Sequence, residues 1–142
     1  MSTEVKTYAS DQVVMIIGGV PLSGFADGTF VEIEQLGDGT SSQSGGDGEI
    51  ARAFSPDKRY QVTITLQQTS SSNDVLDGLL AVDEVTRKGI FPVLIEDLSG
   101  RTVFAAAEAW VNKRPNAPLS KSLETRAWTL TTGAPTYSLA GN

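Results

Sequence analysis

Apolar and polar positions alternate with a period of two along most of this chain. Tyr60-Gln61-Val62-Thr63-Ile64-Thr65-Leu66 sets Tyr, Val, Ile and Leu on one face and Gln and Thr on the other, the pattern of a strand buried on one side. Residues 29–35 alternate likewise, with Val31 and Ile33 on one face and Phe30, Glu32 and Glu34 opposite. Residues 11–17 are continuously apolar after the first two, which predicts a strand covered on both faces. Further strands are expected at 49–54, 91–97, 101–113, 124–132 and 136–140. Leu98-Ser99-Gly100, the Pro115 to Pro118 segment and Gly133-Ala134-Pro135 separate the later ones with turn chemistry. Strands this numerous and evenly punctuated predict a mainly β fold, a β-sandwich or barrel.

One segment departs from the alternation. Ser71-Ser72-Asn73-Asp74 has the outline of a capping box, with Ser71 as N-cap and Asp74 three residues on. Val75, Leu76, Leu79, Leu80 and Val82 follow at helical spacing, with Val85 less regularly placed and Asp77, Asp83 and Glu84 on the solvent side. Arg87 and Lys88 suit the negative end of the helix dipole and Gly89 can stop the helix. The spacing predicts one flanking α-helix over about residues 72–88, packed by its Leu/Val face.

The span 101–113 is longer than an ordinary strand, so part of it is expected to project beyond the main sheet. Its small-sided centre, Ala105-Ala106-Ala107-Glu108-Ala109, would allow another surface to approach closely. Val103-Phe104, Trp110-Val111 and the turn at Ser99-Gly100 favour strand there over an alanine helix.

A chain of 142 residues is the size of one domain with one core, so residues 1–142 read as a single domain with a polar arm over 1–10. The longest apolar run has five residues, far short of the roughly 20 that cross a bilayer, and no basic segment or cleavage site of a secretory signal is legible. No membrane association is expected. There is no cysteine and no histidine. That excludes disulfides, thiolate catalysis, Ser-His-Asp triads and Cys- or His-ligated metal, and leaves only paired carboxylates or lysine for an enzyme. A net charge of −6 argues against tight nucleic-acid binding and would suit a surface that must not retain a passing polyanion.

Between the strands at 29–35 and 49–54 lies a stretch without any apolar residue: Gly37, Asp38, Gly39, Thr40, Ser41, Ser42, Gln43, Ser44, Gly45, Gly46, Asp47 and Gly48. It is too long for a tight hairpin and is expected to be a long inter-strand loop. Its two Asp-Gly pairs invite a calcium reading, but Thr40 and Ser42 occupy positions where an EF-hand needs acids or Asn, and a single Gly45-Gly46-Asp47-Gly48 copy cannot stack as a β-roll. No Lys-Ser or Lys-Thr follows, so it does not cradle phosphate. Acid pairs such as Glu32/Glu34 and Asp27/Asp47 read as solvated carboxylates. Glu124 and Arg126 share one strand face, an ordinary surface pair in a monomer and natural inter-subunit partners in an oligomer.

The segments flanking this stretch, GFADGTFVEIE (24–34), GGDGEIARA (45–53) and QTSSSNDVLDGLLAVDE (68–84), resemble the tail tube protein of contractile-tailed bacteriophages. FPVLIEDLSG (91–100), EAWVNKRP (108–115) and SLETRAWTL (122–130) continue the resemblance in the same order, which spans about residues 11–140. The resemblance implies a barrel or sandwich of tail-tube type with one flanking helix. It also implies hexameric rings stacked into a tube that conducts genomic DNA, with no catalytic, cofactor or metal residues. The implied partners are other copies of the chain and the sheath, tape measure, baseplate and tail terminator proteins. The implied location is the virion tail, assembled in the host cytoplasm.

On that footing residues 37–48 are expected to be an inter-ring loop. Glu32 and Glu34, with Glu108 and Glu124 behind them, are expected to face the lumen. The alternatives are the tube of a related device, an R-type pyocin-like particle or type VI secretion, and a monomeric β-sandwich binding module. The last needs an exposed aromatic platform, whereas Trp110 and Trp128 both fall in strand patterns.

Overall fold

A computed structural model describes Val5 and residues 7–100 and 102–139. After a short 3-10 turn at Ser10–Gln12 come β1 (Val13–Ile17), β2 (Val20–Pro21), β3 (Val31–Gln35), β4 (Thr40–Ser44), β5 (Ile50–Phe54) and β6 (Tyr60–Gln67). Then follow α1 (Ser72–Thr86), β7 (Phe91–Asp97), β8 (Thr102–Lys113), β9 (Thr125–Thr132) and β10 (Thr136–Leu139). Residues 1–4 and 6 of the arm expected over 1–10 lie outside the described residues, as do Arg101 and Ala140 at the ends of two expected strands.

The main sheet is antiparallel and runs β2-β1-β7-β8-β9-β6-β3, with β10 also paired to β8. The long strand β8 serves two layers. Thr102 to Ala105 pair with β10, and Ala109 to Lys113 pair with β9. Irregular register between β7 and β8, and again near Val111, lets β8 bend from one layer into the other. The fold is a sandwich and not a closed barrel: one layer holds β2, β1, β7, β10 and the first half of β8, the other the second half of β8, β9, β6 and β3.

The inward faces meet in one apolar cluster. Met15, Ile17, Val93, Ile95 and Phe104 come from one layer, and Val62, Ile64, Leu66, Trp128 and Leu130 from the other. Tyr60, Phe104 and Tyr137 add mutual edge contacts at 5.3–5.9 Å between ring centroids. Burial from water holds Tyr137 above the usual phenol pKa, with Tyr60 adding to the effect. In β1 the expectation of two covered faces is not met, because Met15 and Ile17 are buried while Val14 and Ile16 on the other side remain half-open.

Helix α1 buries Leu76 and Leu80, with Val75 and Leu79 beside them. Val82 is exposed although it lies within about 20° of Val75 around the helix, because it stands nearly two turns further along, where that side is no longer covered. The expected capping box does not form. Ser71 already has helical φ/ψ and its side chain makes no cap bond. The Ser70 hydroxyl instead accepts from Ser72 N–H at 3.2 Å and donates to the Ser23 carbonyl at 2.6 Å. At the other end Arg87, not Gly89, takes the left-handed conformation, and its N–H donates to the Asp83 carbonyl. Gly89 is needed for another reason: a Cβ there would stand 2.8 Å from the Asp83 backbone.

Candidate assembly surfaces

Residues 37–48 are not a loop. Thr40–Ser44 form β4, which pairs over its whole length with β5, Thr40 opposite Phe54 and Ser44 opposite Ile50. β4 escapes an alternation rule because all its residues are polar; its ladder is made by backbone groups alone. The turn is closed by Gly45 N–H to the Glu49 carbonyl at 2.7 Å, by Glu49 N–H to Asp47 Oδ1 at 3.1 Å, and by Gly48 at φ 87°. Only the Asp-Gly at 47–48 plays the part of hairpin turn.

All ten residues of this two-stranded ribbon are exposed. Ile50 and Phe54 are 78% and 70% exposed, on the same face as Arg52, whose guanidinium lies 4.9 Å over the Phe54 ring. An isolated hairpin is marginally stable in water, and this one keeps both outer edges unpaired.

Its base, by contrast, is tied down. Ser55 N–H donates to the Gly39 carbonyl at 2.7 Å and Leu36 N–H to the Arg59 carbonyl at 3.1 Å. The Arg59 guanidinium forks onto both oxygens of Asp57 at 3.0 Å, and Arg59 N–H donates to Asp57 Oδ1. These side-chain and backbone hydrogen bonds, helped by the charge of Arg59 and opposed by burial, hold the Asp57 carboxyl down to a pKa of about 2.

A second surface is the outer face of the β9–β6–β3 layer. Register aligns Glu34 with Gln61 and Gln61 with Thr131, and in the next row Glu32 with Thr63 and Thr63 with Thr129. The opposite sides of these strands carry Val62, Ile64 and Leu130 into the core. On β3 and β6 these rows present carboxylates, an amide and a hydroxyl; across β9 the buried Thr131 donates its hydroxyl to Asn112 Oδ1 at 2.6 Å, and β8 extends the rows with Trp110 opposite Thr131 and Lys113 opposite Thr129.

Glu32 and Glu34 are thus brought together on one face, and the other two candidate acids are not. Glu108 lies in the irregular part of β8, where Ala107 and Glu108 are both exposed. Glu124 precedes β9 on the same side of the chain as Trp128, away from the Glu32 rows, and its carboxylate accepts from the Ser120 hydroxyl at 2.9 Å. Among the described residues no ion pair joins Glu124 to Arg126.

Sequence reasoning missed the role of Ile50, Arg52 and Phe54, although their period-two spacing was legible. It also passed over the side chain of Asn73 within the Ser71–Asp74 segment. That buried amide donates to the Gln67 and Ser70 carbonyls, each at 3.0 Å, and accepts from Trp128 Nε1 at 2.9 Å, joining the start of α1 to the core.

A mainly β sandwich with one helix and an exposed ribbon can now be set beside known proteins. The family model of the bacteriophage PhiTE tail tube protein matches residues 13–139, which hold every described strand. The chain belongs to this tail tube family. It is 33% identical over 150 residues to "Structural protein ORF10" of Pseudomonas phage KPP10, a match covering 100% of this chain and 87% of the relative. Among solved structures, the fold is similar to a chain of the extended sheath-tube complex of the extracellular contractile injection system PVC, at a TM-score of 0.62, covering 95% of this chain and 93% of that one. It is also similar to the cap terminating the anti-feeding prophage tube, at a TM-score of 0.60, covering 99% of this chain and 95% of that one. Both are 11% identical to this chain, so they establish shared fold. As a member of the tail tube family the chain is a structural protein and not an enzyme.

Proposed function

We propose that this tail tube protein closes into hexameric rings that stack into a hollow tube, through which genomic DNA leaves the virion. In this reading the whole chain acts as one tail-tube domain, and the β4–β5 hairpin is the contact between rings. The observation that carries it is the ribbon itself: ten exposed residues, two of them large and apolar, on a firmly anchored base. Such a ribbon is completed by packing against another molecule, and in a self-stacking tube that molecule is another copy.

The rows containing Glu32 and Glu34 suit the lumen. Along β3 and β6 the carboxylates repel a phosphate backbone, and the neighbouring hydroxyl and amide give it no apolar hold, so that side of the face favours sliding of the duplex over binding. Glu108 and Glu124 take no part in those rows. Sheath outside, tape measure inside, and baseplate and terminator at the ends complete the proposed set of partners, in a tail assembled in the host cytoplasm. Likeness to a sheath-tube chain and a tube cap supports the sheath and terminator contacts at the level of fold. It also leaves the tube of a related injection device as a second reading, which tail particles purified without packaged genome would favour.

The test uses the closeness of Gly39 and Ser55. Because these residues are hydrogen-bonded, residues 40–54 can be replaced by a short Gly-Ser bridge without stretching the base. The full chain should form rings or tubes roughly 10 nm across by negative-stain microscopy, a width set by six such domains around a channel. The excised chain should stay folded and fail to stack. Normal tubes from the excised chain would remove the hairpin from the interface.

A further inference from the structure

Two apolar surfaces are left unmatched within one subunit. One is the Ile50–Arg52–Phe54 face of the hairpin. The other is the outer face of the layer containing β1, β7 and the first half of β8. There Ile16 stands opposite Leu94 and Leu94 opposite Ala105, while Val14, Glu96 and Val103 form the neighbouring row. An open hollow of about 570 Å³ lies over Ile16, Leu94, Ala105 and Ala107, bordered by Gly19 and Pro92. It exists because alanines and a glycine stand where larger side chains would fill the surface.

We propose that the hairpin of one subunit lies on this layer of a second copy of the chain, with Phe54 in the hollow and Arg52 on Glu96. The inference rests on the reading that the chain assembles with itself, and it names the surfaces that meet. Charge selects the partner. Arg52 is the one cation on its hairpin face, and Glu96 the one acid in the two rows beneath. Neither has an ion-pair partner among the described residues. With its plane over Phe54, the guanidinium keeps its N–H edges available for a carboxylate.

Spacing agrees as well. Arg52 and Phe54 are two residues apart on one strand, Leu94 and Glu96 two apart on another, and each step spans about 6.6 Å. Docking would also cover the open sides of Val14 and Ile16, so that the unbroken apolar run of β1 is buried on both faces, as its composition suggests.

Charge reversal and rescue test the pairing. Arg52→Glu and Glu96→Arg should each raise the concentration needed for assembly roughly tenfold or more, and the double variant should return it to near the wild-type value. Far-UV circular dichroism at low concentration checks that each variant is folded. In a chain that has no cysteine, Phe54→Cys with Ala107→Cys should give disulfide-linked multimers on mild oxidation, whereas either change alone gives at most linked dimers. Wild-type assembly that is indifferent to Arg52→Glu, or a double variant no better than the singles, overturns the docking while leaving the tube reading intact. A wild-type chain that stays monomeric at every concentration overturns both.

Discussion

Replacing Asn73 by alanine should cost the subunit much more than one exposed polar residue would, and the structure indicates how much. Asn73 and Trp128 are 5% and 3% exposed, so water cannot substitute for a lost partner. The arrangement has one sense only: indole Nε1–H can only donate, and the Gln67 and Ser70 carbonyls can only accept, so Oδ1 must face Trp128. In Asn73→Ala the buried indole N–H loses its acceptor, at about 1–3 kcal/mol. The two carbonyls each keep a backbone donor, Ser70 N–H on Gln67 and Asn73 N–H on Ser70, so their combined loss is nearer 1 kcal/mol. The sum is about 2–4 kcal/mol, or a fall in Tm on the order of 10 °C for a chain of this size.

Urea unfolding followed by far-UV circular dichroism measures it, at concentrations low enough that assembly does not add to stability. Trp128→Phe deletes the donor from the other side, and the double variant should cost about 1–2 kcal/mol less than the sum of the two single changes. A loss below about 0.5 kcal/mol for Asn73→Ala, or strict additivity, would refute the claim that this one amide joins helix to core.

Other consequences follow from single positions. Gly89→Ala places a Cβ 2.5–2.8 Å from Asp83 and should destabilise by about 2 kcal/mol or more, whereas Gly46→Ala, with nothing within 4 Å, should stay within about 0.5 kcal/mol; thermal melts compare them. Asp57 has a depressed folded-state pKa, so its contribution to stability is complete above 3.8 and is lost as pH falls through about 2. Carboxyl NMR should report a midpoint near 2, and Arg59→Gln should move it upward towards the ordinary range. Phe54→Ser should leave the Tm of the dilute subunit unchanged, since the ring is 70% exposed, yet slow or abolish stacking by light scattering.

Local pattern determined much of this protein. Period-two alternation located β6, β7 and β9 to within a residue, because one buried face repeats every second side chain. The leucine spacing located α1, and the absence of cysteine and histidine alone removes most catalytic chemistry. What failed was information not held by neighbouring residues. β4 has no apolar residue, so only its backbone pairing with β5 reveals a strand. The Ser71 cap gave way to Ser70 because contacts from Ser23, 47 residues away in sequence, decide which hydroxyl is in place. Val82 reads as apolar and stands exposed because the core covers that side of α1 at Val75 but not two turns further on. The tertiary structure alone separated Glu124 from Glu32 and Glu34, since that depends on how β3, β6 and β9 register. It also showed β1 covered on one face only. Sequence composition asks for a second cover there, and one subunit's packing cannot supply it.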